Sequence, residues 1–457
     1  MENLKRKADS YEMDMVSGPL TPKVLIFTVP LILTGVLQLL FNAADVAVVG
    51  QFSSSNSVAA IGSTSSLINL LISLFMGIGV GVNVLVARYY AIDNKKDVSE
   101  TVHTSIAVSL IAGTFLAAAG FIFARKLLLL MGSPDDVIDL STLYIRIYFL
   151  NMPANIIYNT GASILRAVGD TKRPLYFLII SGTINVILNL VTVIFFHMDV
   201  AGVALATSVS IYISAALIML TLMKSSGSFS FSWKKMKITP DKFKKILIVG
   251  LPAGLQGTVF SISNVLIQSS INSFGSIAMA GNAAGGNIEG FVYVSMNAFY
   301  QACVTFTSQN YGVRNTDRVK KVLRTCLILV MLTGLVLGNS AYFFGETLLS
   351  IFTRDPEAIA FGLKRLSVIC TLYFLCGMMD TVCGSVRGLG YSLAPMLVSI
   401  VGVCMLRILW IFTIFQMPEF HGLTVLYFSY PITWVITFTA HLITYLILMK
   451  KICARPA

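Results

Sequence analysis

Charge is what this sequence has least of. Only 12% of its 457 residues are Asp, Glu, Lys or Arg, where a soluble globular chain carries about 25%. Histidine occurs four times, at His103, His197, His421 and His441, too scattered to ligate a metal. Seven cysteines (Cys303, Cys326, Cys370, Cys376, Cys383, Cys404 and Cys453) show no CxxC or Cys/His spacing. Nearly all fall in apolar segments, so buried free thiols are expected. HExxH, GxSxG and any cluster of acids with histidines are missing too, which leaves a membrane-embedded enzyme without support and no cofactor implied. Long polar stretches are equally scarce, so no soluble domain of useful size remains. The first 20 residues contain no apolar run of the signal-peptide kind; they read as a cytoplasmic start, with the first hydrophobic helix directing insertion.

What the sequence has instead is apolar length. Hydrophobic residues make up 56% and mean hydropathy is +0.80. A bilayer core of about 30 Å needs roughly 20 apolar residues per helix, and twelve segments qualify, from 24–49 to 422–449, including 139–166 and 361–387. The expected fold class is all-α: a polytopic membrane protein of twelve transmembrane helices. The net charge of +12 would suggest a nucleic-acid partner in a soluble protein, but here it follows topology. Lys5, Arg6, Lys7 and Lys23, the loops after alternate spans, the central linker and the tail (Lys450, Lys451, Arg455) gather twenty-six lysines and arginines on one side. Six (Arg125, Lys126, Arg146, Arg354, Lys364, Arg365) fall on the other, and Arg407 lies inside a span. That asymmetry places both termini in the cytoplasm of an inner or plasma membrane.

The chain repeats itself. The stretch KSSGSFSFSWKKMKITPDK joins two halves that align at one nearly constant offset. Pro30 meets Pro252, ARYYAIDNKKDV meets SQNYGVRNTDRV, and LRAVGDTKRP meets VRGLGYSLAP. The expected organisation is a tail over 1–23, a first lobe over 24–223, a cytoplasmic linker over 224–242, a second lobe over 243–449 and a tail over 450–457. Such repeats mark secondary transporters whose two halves rock about a shared site. In the paired corners, Arg166 with Pro174 and Arg387 with Pro395, glycine and proline end one helix and begin the next. The arginines are expected to anchor the corners to cytoplasmic headgroups or acidic partners.

Charges inside the spans ask for a reason, because each costs about 2.5–3.5 kcal/mol at a helix centre on insertion scales. Asp45 shares a stripe of the first helix with Gln38 and Asn42. A carboxylate in a low-dielectric setting can trade its charge for a proton, so this stripe reads as a proton or cation site, Na+ included, or as a packing hydrogen bond. Asn185 and Asn189 share a face of the fifth helix and either complete that site or bridge helices. In the second half, Glu289 shares a face with Tyr293 and Met296, Asp380 stands among small residues, and Arg407 reads as the single deep basic residue, expected to pair with Asp380 or Glu289.

These residues resemble the multidrug and toxic compound extrusion (MATE) family over nearly the whole length. The resemblance rests on Pro30, Gln38, Asp45 and Val49-Gly50, the RAVGDTKRP and RGLGYSLAP corners, the Asn185 stretch and SQNYG. It implies two six-helix lobes around a central cavity that alternate in access, and export of amphipathic, often cationic compounds against H+ or Na+. Asp45 matches the family's helix 1 carboxylate and Asn185 a polar partner. Members with that site often carry aspartate where this chain has Asn189. A sodium-coupled branch has acids where this chain has Phe260-Ser261 and Cys376, so that branch's second-lobe site is not expected, and Asp380 with Glu289 is the candidate for a different one. A flippase of lipid-linked precursors is the rival, disfavoured because it would need a strongly basic cavity. A monomer in contact with membrane lipids, without a nucleic-acid partner, is expected.

Overall fold

The computed structural model describes residues 11–52, 55–134 and 136–454; Lys5, Arg6, Lys7 and Arg455 lie outside the described residues. Every regular element among those residues is helical. In the first half these are α1 (Leu20–Phe52), α2 (Ser55–Ala91), α3 (Lys95–Leu130), α4 (Ile138–Leu150), α5 (Met152–Ala167), α6 (Lys172–Leu190) and α7 (Asp199–Lys224). The second half holds α8 (Pro240–Asn272), α9 (Ser276–Gly312), α10 (Thr316–Phe343), α11 (Gly345–Ser350), α12 (Pro356–Ile369), α13 (Phe374–Gly388), α14 (Leu393–Ser399), α15 (Leu406–Phe412) and α16 (Leu423–Cys453). Nine continuous helices among the described residues are long and apolar enough to cross a bilayer, and α12 with α13, bent by 48°, makes a tenth. The α4–α5 pair, whose members are 13 and 16 residues long, and the 37-residue α9 are the remaining two segments of the expected twelve.

Two of the expected single spans are broken. The segment 139–166 becomes α4 and α5, parted at Asn151, because Pro153 sits in the first turn of α5 and has no N–H to carry the helix backwards. The segment 361–387 becomes α12 and α13, parted at 370–373. Both breaks are met by a glycine of the preceding long helix. A Cβ on Gly113 would sit 2.5 Å from Pro153 Cα, and one on Gly334 would sit 2.7 Å from Phe374 Cα. Gly113 and Gly334 are counterparts in the repeat, and so are Pro153 and Phe374.

The same correspondence recurs at the corners. Asn94 caps α3 by accepting from the Asp97 N–H at 3.1 Å, and Asn315 caps α10 by accepting from the Arg318 N–H at 3.0 Å. Gly169 and Gly390 take φ of +98° and +91°, which glycine adopts without steric cost. Pro174 and Pro395 follow in the first turns of α6 and α14, where a missing N–H is harmless.

Packing divides the described residues into two units, those up to Asp14 with 36–250, and 15–35 with those from Leu251 onward. The division therefore runs through α1 and α8 rather than between the halves. In the first unit, Gly81 and Gly250 let α2 and α8 touch backbone to backbone: a Cβ on Gly81 would be 2.4 Å from the Ile246 carbonyl oxygen. The polar segment 225–239 is docked on α3. Phe229 is fully buried, Phe231 stacks on His103 at 5.1 Å, and the His103 Nε2 accepts the Ser232 N–H at 3.1 Å. In the second unit, Asn310 donates to the Met15 carbonyl at 3.1 Å, and Arg318 donates to the Ser17 and Gly18 carbonyls at 2.6 and 3.0 Å. Six cysteines are buried free thiols and Cys453 is exposed.

Candidate functional site

The first unit gathers its intramembrane polar groups around Asp45. Asn189 on α6 donates its amide to Asp45 Oδ1 at 2.5 Å and shares that Nδ2 with Asn185 Oδ1 at 3.4 Å. Asn185 in turn donates to Thr207 Oγ1 on α7 at 3.3 Å, and the Thr207 hydroxyl also reaches Asp45. Tyr144 and Tyr148 of α4, stacked at 6.1 Å, lie within electrostatic reach of the carboxylate. Asn189 is fully buried, yet its Oδ1 has no hydrogen-bond partner. A buried acceptor left empty beside a carboxylate costs about 1–3 kcal/mol and suits a cation or a donor. Two residues after Asn189, Val191–Phe195 form a π-helical turn, a feature often placed at functional sites.

The sequence stripe resolves unevenly. Asp45, Asn185 and Asn189 come together, whereas Gln38 and Asn42 are exposed and neither bonds to Asp45. Helical spacing puts the three on one face of α1, but Asp45 alone faces α6. Thr207, Tyr144 and Tyr148 carry no signal in sequence, because hydroxyls and phenols in apolar spans look like packing.

In the second unit the expected pairing is corrected. Glu289 of α9 takes Arg365 of α12 as its partner: Arg365 Nη2 and Nε both donate to Oε2, at 2.5 and 2.9 Å. Arg365 Nη1 donates to Asn282 at 2.7 Å, and Asn282 also accepts from the Tyr427 hydroxyl at 3.3 Å. Arg407 is not part of that pair. It donates Nε to Thr433 Oγ1 at 3.0 Å and stacks over Tyr430 at 4.1 Å. Nor is it the single deep arginine. Hydropathy counts Arg365 with the loops, because it falls close to the start of the expected span 361–387, yet it lies well inside α12 and is 8% exposed, and Arg387 is 5% exposed.

Arg387 also departs from its expected role. Nη1 donates to the Tyr300 hydroxyl and Nη2 to Gln256 Oε1, both at 2.7 Å, so it ties α13 to α8 and α9 inside the unit rather than to headgroups. Asp380 lies within reach of its charge; Glu289 and Asp380 thus answer to different arginines. Arg166 bonds within its own helix, to Ser163 Oγ at 3.0 Å. The first corner is held instead by Asp170, which accepts the Lys172 and Arg173 N–H groups at 3.2 and 3.0 Å and pairs with the Arg173 side chain. Tyr293 stacks on Tyr373 at 6.3 Å. Among the described residues no three His, Cys, Asp or Glu side chains converge as a metal site would require.

The repeated scaffold is the decisive feature for identity. The sequence model of the MatE family matches residues 30–191 and again 252–413, one match per half. The chain belongs to the MATE family. It is 30% identical over 385 residues to the "Probable multidrug resistance protein YoeA" of Bacillus subtilis (strain 168), covering 83% of each chain. A more distant relative is the "FAD transporter" of Shewanella oneidensis, 23% identical, covering 76% of this chain and 77% of that one. Among solved structures, the outward-facing conformation of a multidrug resistance MATE family transporter superposes with a TM-score of 0.91 over 98% of this chain and 100% of that one, at 19% identity. This MATE chain is a multi-pass membrane protein with the family's twelve-helix, two-lobe fold.

Proposed function

We propose that the protein is a secondary active exporter that exchanges H+ or Na+, bound at Asp45, for drug-like amphipathic compounds by alternating access. The observation that carries this is the Asp45–Asn189 bond beside an empty acceptor on Asn189. That arrangement holds a carboxylate in apolar surroundings with the Asn189 amide and the Thr207 hydroxyl as donors and one asparagine oxygen waiting. A proton on Asp45 would let it donate to that oxygen after rotation; Na+ would be shared between the carboxylate and the two asparagine oxygens. Either ion rearranges α1 against α6, and an ion moves an equilibrium only through unequal affinity for its two states. The multidrug relatives support drug-like cargo, and the lysine and arginine asymmetry supports cytoplasmic termini.

A flippase of lipid-linked precursors would use a basic cavity. Three buried arginines in the second unit revive that reading in part, but Glu289 neutralises Arg365, and Tyr300 with Gln256 occupies Arg387.

The test is efflux of a fluorescent cationic dye from liposomes under an imposed pH or Na+ gradient. Dye should follow one gradient in the wild type and neither in Asp45→Asn. Equal gradient-driven efflux in a folded Asp45→Asn protein would remove the proposal.

A further inference from the structure

The charges buried in the second unit do not balance. Its spans hold Arg365, Arg387 and Arg407 against Glu289 and Asp380. Arg365 has Glu289 at 2.5 Å, and Arg387 has two neutral acceptors together with the charge of Asp380. Arg407 has one hydrogen bond, to Thr433, and two aromatic faces, Tyr430 at 4.1 Å and Trp434 at 5.8 Å. It is only 5% exposed, its Nη2 is buried with no partner, and no carboxylate among the described residues lies within ion-pair distance of it.

Stacking satisfies the faces of a guanidinium and leaves its N–H edge unspent. A guanidinium carries five donors in a rigid fork, and that fork matches a carboxylate or phosphate. Thr433 cannot spare more than its lone pair, since its hydroxyl proton goes to the Ser429 carbonyl at 2.7 Å. Thr433 therefore fixes the Nε side of Arg407 and leaves the terminal nitrogens for something else.

The surroundings say what kind of something. Tyr293, Tyr373, Trp434 and Tyr430 form a row of neighbouring rings, with centroids 6.3, 5.3 and 5.8 Å apart in turn. Tyr293 at one end is 38% exposed and Trp434 is 3% exposed, so the row runs from an accessible ring to the buried arginine. Rotation of Tyr373 or Trp434 would open that path. The fold itself does not demand the arginine, because the equivalent position in the first half, in the register that pairs Pro174 with Pro395, is Val186.

We infer that the second unit holds a binding site for an aromatic anion, with Arg407 receiving its anionic group and the Tyr373–Trp434–Tyr430 rings stacking its ring system. This adds a class of cargo opposite in sign to the cationic dyes of the test above, and it rests on the transport reading only for the word cargo. Binding at equilibrium needs no ion gradient, so it stands or falls apart from Asp45.

The experiment is isothermal titration calorimetry on the full chain in phosphatidylcholine nanodiscs, with empty nanodiscs as blank. The probes are 2-naphthoate, its neutral amide and cyclohexanecarboxylate. Naphthoate should bind about tenfold tighter than either of the others, the scale of one charge-assisted contact or one stacked ring. Arg407→Gln should erase the preference for acid over amide, and Arg407→Lys should retain part of it. Trp434→Leu, which keeps the charge, should bring naphthoate down to the level of cyclohexanecarboxylate. Equal binding of acid and amide by the wild type would overturn the proposal, as would an intact preference in folded Arg407→Gln. If Arg407→Gln does not fold, the wild-type comparison and Trp434→Leu decide. Loss of naphthoate binding when phosphatidylglycerol is included would assign the site to a lipid headgroup and overturn the aromatic assignment.

Discussion

Asn189 gives its amide hydrogen to Asp45 across 144 residues of sequence, at 2.5 Å, while its own oxygen receives nothing. The bond joins α1 to α6 in the part of the first unit where α6 loosens into a π-helical turn.

Replacing Asn189 by leucine keeps the branched skeleton, though with bulkier methyl groups, and removes both the donor and the empty acceptor. Leaving Asp45 with one partner fewer costs about 1–3 kcal/mol, small enough for the protein to insert. Gradient-driven dye efflux should fall about tenfold or more, because about 1.4 kcal/mol is already a factor of ten. Efflux at the wild-type rate would show that Asp45 works without this bond.

Breaking the Glu289–Arg365 pair should be costly and reparable. Glu289→Leu alone strands a buried guanidinium and should lower stability by about 3–5 kcal/mol. Glu289→Leu with Arg365→Met removes both charges and should recover most of the loss. Thermal unfolding of the purified proteins measures both, and a double variant no better than the single one would show that Arg365 is held mainly by Asn282 and the Tyr427 ring.

The paired glycines at the two helix breaks make a symmetrical prediction. Gly113→Ala and Gly334→Ala each place a methyl 2.5 and 2.7 Å, respectively, from a backbone Cα, which cannot swing aside as a side chain would. Each should cost about 1–3 kcal/mol by overpacking. Gly286→Ala, with nothing within 4 Å, serves as the control and should leave the unfolding temperature unchanged or slightly raised.

His103→Phe retains the ring beside Phe231 and loses the acceptor for the Ser232 N–H. Segment 225–239 should then lift from α3 more often. Limited proteolysis checks this: cleavage within that segment should be faster in the variant, and an unchanged rate would mean that Phe229 and Phe231 hold it unaided.

The scaffold was legible in the sequence because it is written twice. Pro30 with Pro252, and the corners at 165–174 and 386–395, show the period directly, and the caps Asn94 and Asn315 and the breaks at 151 and 370–373 follow it. The chemistry was harder to see because it sits where the halves differ. Asn189 falls opposite Trp410, Arg365 opposite Tyr144, and Asp45 opposite the apolar Leu266-Ile267. Asp45 could be picked out alone, since a lone carboxylate in an apolar run needs a reason. Its partners could not be fixed, because helical spacing says which residues share a face and not which face meets α6. Arg365 was missed for a related reason: hydropathy locates a span's end only to within a turn or so, and that margin decides whether an arginine counts as loop or interior.

The distribution of thiols makes the native chain behave toward water-borne reagents as though it had one cysteine. Six sulfurs are enclosed by packed helices, and Cys453, in the last turn of α16, stands open. A membrane-impermeant maleimide applied to sealed vesicles would thus mark a single address, beside Lys450 and Lys451, and report on which side of the bilayer the polypeptide finishes.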